Sequence, residues 1–403
     1  MDINSKLSDK VEAFGGCITR TMSIKAMEAG ALNLAQGFPT EDPPTPLLEA
    51  AIGSIKGHRN YYADMRGDPK LRDAVAAYTK RFNGLEACGD NNVTITCGTT
   101  EAMIATFMAI INPGDEIILF EPWYENYMPQ TILAGAKVKF FTLEPPEYLI
   151  DLDRLKTLFS NKTKAIVINT PNNPTGRVFT HEELSGIAHL CQKYDALAIV
   201  DEIYQHIVFD DNQHISLASL DGMSERTITI NGISKAYAAT GWRIGWAIAP
   251  YELTLAVRRV HDFLTGAVPT PFQDAAVVGL NLDDSFFDGL KQTYTKRRAS
   301  LAEWLTQAGF SFFLPEGAYY ILADIGGFGF SSSEEFAETL IRDAGVAVVP
   351  GIAYFADPKW RERTVRFTFS KPDEVIRNAG LRLYEWSPQA LSQPFPDFTM
   401  FDR

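Results

Sequence analysis

Short apolar runs alternate with longer amphipathic stretches between about residues 93 and 250. VTITC (93–97), EIILFE (116–121), KVKFFT (137–142), KAIVIN (164–169), ALAIVD (196–201), TITIN (227–231) and IGWAIA (244–249) read as strands. None alternates strictly between apolar and polar positions, which is the pattern of strands buried on both faces of a largely parallel sheet. The stretches between them read as helices. One runs from Glu101 to Ile111 and is stopped by Asn112-Pro113-Gly114; another starts near Thr180, where Glu183 three positions on completes a capping box. Alternating strands and helices predict an α/β sandwich.

The pattern changes after residue 250. Residues 251–310 read as long helices, with HDFLTGAVPTPFQ (261–273) as a loop between two of them. Beyond 310, GFSFFLP, AYYILADI, VAVVP and TVRFTFS are strand-like, and 333–344 and 373–386 are helix-like. This predicts a smaller α+β domain that the N-terminal segment joins: a large domain over 48–285, and a small one from 1–47 and 286–403. The Pro-rich tail from Ser387 is expected to be irregular.

Composition narrows the class. With 46% hydrophobic and 22% charged residues among 403, the chain is ordinary for a globular protein. Its formal net charge of −13 argues against nucleic acid and anionic membranes as partners. No apolar run approaches the roughly 20 residues of a membrane span, and the polar start lacks a signal-peptide core. Cys17, Cys88, Cys97 and Cys191 are widely spread, which predicts free thiols in a reducing cytoplasm and no metal site.

In open α/β sheets ligands bind at the carboxyl ends of the strands. Thr99 and Thr100, Asn173, and Ser234 and Lys235 follow predicted strands, and Asp201 and Tyr204 stand at the end of one, so a parallel sheet brings them to one edge. A lysine beside an apolar strand end is costly to bury as a bare cation, and a Schiff base with a carbonyl cofactor removes that cost. Arg243, eight positions after Lys235, offers a fork for a phosphate. Ser234 adds a hydroxyl, and Thr99 and Thr100 open a helix whose free N–H groups favour an anion. Asp201 ends an apolar strand and calls for a cationic partner, such as a protonated pyridine nitrogen.

LNLAQGFP, YADMRGDPKLR, TPNNPTG, VDEIY, SKAYAATGWRIG, PTPFQ, PEGAYY and VRFTFS together make the chain resemble class I aminotransferases, the pyridoxal 5′-phosphate (PLP) enzymes of fold type I. The likeness runs from about residue 30 to 385 and is strongest to the bacterial branch of aspartate, aromatic, methionine and kynurenine aminotransferases. The resemblance implies a cytoplasmic homodimer that moves the α-amino group of an L-amino acid to a 2-oxo acid through a Lys235 Schiff base.

It also implies roles. Asn173 and Tyr204 would hold the 3′-oxygen of the cofactor ring. Tyr124, rather than Trp123, would stack on that ring. Tyr62 would reach the phosphate in the other subunit. Arg366 would bind the substrate α-carboxylate, with Gly37 lining that site through its backbone. Gly232 stands where some relatives carry a phosphate-binding serine. His58, His189 and His206 are expected to be non-catalytic, and the aromatics at 312, 313, 319 and 320 to belong to the core, with Tyr319 at the edge of the site. The same scaffold supports eliminating lyases, aminocyclopropane carboxylate synthase-like cyclisation and PLP-dependent oxidation, and occurs in non-catalytic regulators. The last carry an added N-terminal DNA-binding domain, for which the roughly 30 residues before QGFP are too few.

Overall fold

Seven strands build the larger sheet: β1 (Val93–Thr96), β2 (Glu116–Glu121), β3 (Lys137–Thr142), β4 (Thr163–Asn169), β5 (Leu197–Asp201), β6 (Thr227–Gly232) and β7 (Gly245–Ile248). They lie in the order β1-β7-β6-β5-β4-β2-β3. This is a computed structural model, and it describes residues 6–389. All neighbours pair in parallel except at β7, which runs antiparallel to both β1 and β6.

The reason for the apolar runs is visible in the packing. Ile118, Phe120, Ile166, Ile168, Ala198 and Val200 enter one buried cluster. Their neighbours Ile117, Leu119, Ala165, Val167 and Ile199 enter another on the opposite face. Strands β2, β4 and β5 therefore bury both their odd and their even positions, and a polar alternation has no place there; the edge strand β3 is only partly buried. Leu184, Ile187 and Leu190 of helix His181–Tyr194 cover the first face. Ala102, Met103 and Phe107 of helix Gly98–Ile110 cover the second, with Val257 of helix Tyr251–Leu264. The capping box of Thr180 and Glu183 is formed.

The later strands form a separate antiparallel sheet in the order Val349–Pro350, Thr364–Thr368, Tyr320–Asp324, Ser311–Phe312. Leu32–Asn33 pairs in parallel with Val346–Ala347 in a two-stranded sheet of its own. Ile321, Val365 and Phe367 of the smaller sheet share the cluster that covers one face of the larger one, which makes the apolar core continuous between them.

One expectation needs correction. His261–Leu264 are the last turn of helix Tyr251–Leu264, and Thr270 already begins helix Thr270–Leu280. The connection is thus 265–269, and three helices fill 251–307, the last being Asp284–Gln307. Pro269 and Pro271 suggest a loop, but they flank the first residue of a helix, where a missing N–H costs nothing. Most of the Pro-rich tail, from residue 390, lies outside the described residues, as do residues 1–5. Among the described residues no helix is long and apolar enough to cross a membrane, and no cluster of His, Cys, Asp or Glu is arranged to hold a metal ion.

Candidate active site

The carboxyl ends of the six parallel strands share one edge of the larger sheet. Strand β7 runs the other way, so its start reaches that same edge. That is how Arg243, which precedes β7, joins residues that follow the other strands. Two hollows that share Tyr124, Asn173 and Lys235 lie there. One of about 320 Å³ is lined by Gly37, Tyr124, Asn173, Lys235, Arg243 and Arg366, among others. A small one of about 20 Å³ touches Thr99, Tyr124, Asn173, Asp201, Tyr204 and Lys235.

Lys235 is partly buried, and its Nζ donates to Gly37 O at 3.2 Å. Burial, and then the nearby Arg366 guanidinium, lower its pKa to about 8, while Asp201 pulls the other way. A cation at this position is disfavoured, so a usable fraction of neutral amine exists near pH 7–8. Asp201 shows the converse. It is 4% exposed, and burial raises its pKa to about 6 despite a hydrogen bond from Tyr127 Oη to Oδ2 at 2.8 Å and one from Ile203 N to Oδ1 at 3.2 Å. The carboxylate has donors, but no cation bonded to it. A cationic group entering the hollow would stabilise it.

The opening of helix Gly98–Ile110 sits against Arg243. A Cβ added at Gly98 would strike the Arg243 guanidinium, and one added at Gly245 would lie 2.7 Å from Thr99 N. Both glycines are therefore needed for the guanidinium and the helix N-terminus to converge. Arg243 itself holds a left-handed backbone at φ 56°, uncommon for a residue with a side chain. Its Nη1 donates to Thr240 O at 2.9 Å and its Nη2 to Cys97 O at 3.4 Å. The unpaired N–H groups of that helix turn and the guanidinium make a cradle for an anion. Gly232 has no room for the serine hydroxyl, because an added Cβ would lie 2.7 Å from Ile244 O.

Arg366 comes from the smaller sheet and is 3% exposed. Its Nη1 donates to Asn173 Oδ1 at 2.9 Å and its Nη2 to Ala35 O at 2.8 Å, while Nε has no partner. Its guanidinium lies over the Tyr320 ring, 4.2 Å from the centroid. A buried guanidinium with an idle donor, facing a cavity, is suited to a carboxylate. Tyr204 Oη bonds Tyr320 Oη at 2.9 Å.

Trp123 stacks on Phe140 within the core, whereas Tyr124 lines both hollows. Ser234 is buried next to Lys235, and Thr100 is exposed; neither lines the hollows. Tyr62 lines neither hollow in its own chain. It is 87% exposed, in an outer groove with Asn60, Tyr61 and 267–271. His206 is buried, with its pKa lowered to about 3 by burial, and it stacks on Phe287 away from the hollows.

Several residues escaped the sequence reading. Tyr127 holds Asp201, and Asn169 Oδ1 accepts from Asn173 N at 2.7 Å. Tyr320 is not only core: its hydroxyl donates to Gly37 O at 3.2 Å and it lines the larger hollow. Its PEGAYY context could have flagged it. Cys17, Thr19, Arg20 and Glu125 also line the hollow, with no local signal to announce them.

A family model described as aminotransferase class I and II matches residues 29–383. Methionine aminotransferase of Escherichia coli is 32% identical, with 93% of this chain and 97% of that protein covered. Kynurenine–oxoglutarate transaminase 1 of Homo sapiens is 32% identical, with 90% and 93% covered. The solved structure of N-succinyldiaminopimelate aminotransferase from Mycobacterium tuberculosis matches with a TM-score of 0.91 at 37% identity, over 94% of this chain and 99% of that one. The agreement extends through both sheets and the edge where the hollows open, and on it the chain belongs to the class I and II aminotransferases, enzymes that move amino groups with pyridoxal phosphate.

Proposed function

We propose that Lys235 carries pyridoxal 5′-phosphate in this hollow and that the chain moves the α-amino group of an L-amino acid to a 2-oxo acid there. The observation that carries this reading is the pairing of two displaced ionisations in one small cavity. Lys235 is kept partly neutral and Asp201 lacks a bonded cation, which suits an amine that must attack a carbonyl and a carboxylate that must face a protonated ring.

The other residues fit the same group. Thr99 and Arg243, which line the hollows, would hold its phosphate, with Thr100 and Ser234 beside them though outside the lining; Asn173 and Tyr204 would hold its ring oxygen, and Tyr124 its ring face. Tyr62 is exposed and lines neither hollow of its own chain, and it would reach the phosphate in a second copy, which would make the working enzyme a homodimer. When bound, the cofactor supplies the electron sink that lets the Cα proton leave. Arg366 would clamp the α-carboxylate, helped by Asn173 and the Gly37 backbone, and so fix Cα beside Lys235. Lys235 Nζ would then take and return the proton. We place the working division at a unit over 48–285, which holds the larger sheet, and a unit from 1–47 and 286–403, which holds the smaller one.

The test is one half-reaction. Holoenzyme given excess amino acid without oxo acid, under anaerobic conditions, should release one equivalent of 2-oxo acid per site and stop until an oxo acid is added. Continuous ammonia release, or a need for oxygen, would make the enzyme a lyase or an oxidase.

A further inference from the structure

Four cationic side chains line the larger hollow: Arg20, Lys235, Arg243 and Arg366. The last three have assigned tasks and hydrogen-bonded partners. Arg20 has neither: among the described residues no hydrogen bond or ion pair holds its guanidinium. An exposed arginine is usually just solvated, but two features set this one apart.

The first is where it sits on its helix. Arg20 is in the first turn of helix Ile18–Ala29, which has no acidic residue in that turn. A cation there opposes the helix dipole, so local helix stability does not explain it. The second is how that turn is held. Glu125, the one acid lining the hollow, accepts from Ile18 N, from Thr19 N at 3.3 Å and from Thr19 Oγ1 at 2.7 Å, with Cys17 Sγ at 3.3 Å. Its carboxylate caps the helix, so it fixes the turn at the cavity mouth. It is committed there and does not pair with Arg20. The result is an anchored turn presenting an unpaired guanidinium to a cavity whose deeper guanidinium, Arg366, suits the α-carboxylate.

We propose that Arg20 is a specificity-determining residue that reads a second acidic group, so that at least one of the two substrates has a side chain ending in a carboxylate. This rests on the amino-transfer reading and deepens it. The rest of the lining does not compete for the role: Gln36 Oε1 accepts from Ser23 Oγ at 2.8 Å, and the Asn126 amide donates to Tyr124 Oη at 3.1 Å.

The test compares Arg20→Gln, Arg20→Lys and Arg20→Glu holoenzymes with the wild type. The substrates are amino acids and 2-oxo acids with neutral side chains and with terminal carboxylates of increasing length, from aspartate through glutamate to 2-aminoadipate and longer. Arg20→Gln should lower the ratio of kcat/KM for the preferred acid to that for a neutral substrate by about 10- to 100-fold, the range of one charge-assisted hydrogen bond. The change should fall mainly on KM. Arg20→Lys should recover part of the ratio, and Arg20→Glu should depress it further. The length of the preferred acid distinguishes a short dicarboxylate from a longer one. An unchanged ratio, or equal losses for acidic and neutral substrates, would overturn the inference while leaving the transaminase intact. No transfer from any amino acid in the wild type would remove the proposed function, and this inference with it.

Discussion

Arg366 Nη1 donates to Asn173 Oδ1 at 2.9 Å, joining a strand of the smaller sheet to the loop that follows β4, 193 residues earlier. The bond ties the group suited to a carboxylate to the loop suited to the cofactor ring, so any movement between the two sheets is felt at the site. Arg366→Lys keeps the charge but loses the fork. It should raise KM for every amino acid about 10²-fold, with a smaller change in kcat. Steady-state kinetics over a substrate panel checks this. A selective effect would mean that Arg366 reads side chains. Combined with Asn173→Ala, the losses should be non-additive, because the two groups share one bond.

Lys235 supplies a pH signature. Its lowered pKa of about 8 means that the folded, cofactor-free chain binds fewer protons here than the unfolded chain between pH 8 and about 10.5. Only the neutral amine attacks a carbonyl. Cofactor-free protein mixed with pyridoxal phosphate should therefore reconstitute faster as pH rises, levelling off above about 8. Stopped-flow absorbance measures the rate. Borohydride reduction and peptide mapping should place the adduct on Lys235; an adduct on another lysine refutes the assignment.

Asp201 has the opposite sign. Its folded pKa of about 6 lies above the ordinary aspartate value of 3.8, so its contribution to stability is fully present below about pH 4 and is lost as pH rises through 6. At pH 7 the cofactor-free Asp201→Asn protein should be at least as stable as the wild type, since a buried, weakly compensated charge has been removed. Its activity should nevertheless fall by about 10²-fold or more, as when one preorganised electrostatic group is lost. Thermal melts across pH 4–8 and turnover assays read the two effects separately. Full activity would show that the carboxylate is only structural.

Tyr62 tests the shared site. Tyr62→Phe should weaken cofactor retention about tenfold, the loss of one hydrogen bond to a charged group. Hybrids formed with Lys235→Ala chains should contain one site free of both changes, and activity at limiting cofactor should recover on mixing. No recovery would mean that each chain uses its own Tyr62.

The sheet and its edge were readable because a buried strand is an uninterrupted apolar run and because reactive residues stand just after those runs. The reversed direction of β7 was not, since IGWAIA reads the same way up or down. Tyr127 was hidden for a different reason: nothing in NYMPQ marks a hydroxyl aimed at a carboxylate 74 residues away. Arg20 and Glu125 are joined only through the folded chain. Tyr320 looked like core because it is core on one side, 1% exposed, yet its hydroxyl reaches the site.

The bond from Arg366 to Ala35 O spans 331 residues, and the turn that Glu125 caps begins at Cys17. During synthesis the first of these residues leaves the ribosome long before the last. A chain halted at residue 300 would hold every strand of the larger sheet, with Lys235 and Asp201, but no arginine for the α-carboxylate. Amino-acid recognition is thus among the last properties the nascent chain acquires. Contacts of such long range are also slow to form, so the site is completed after the larger sheet.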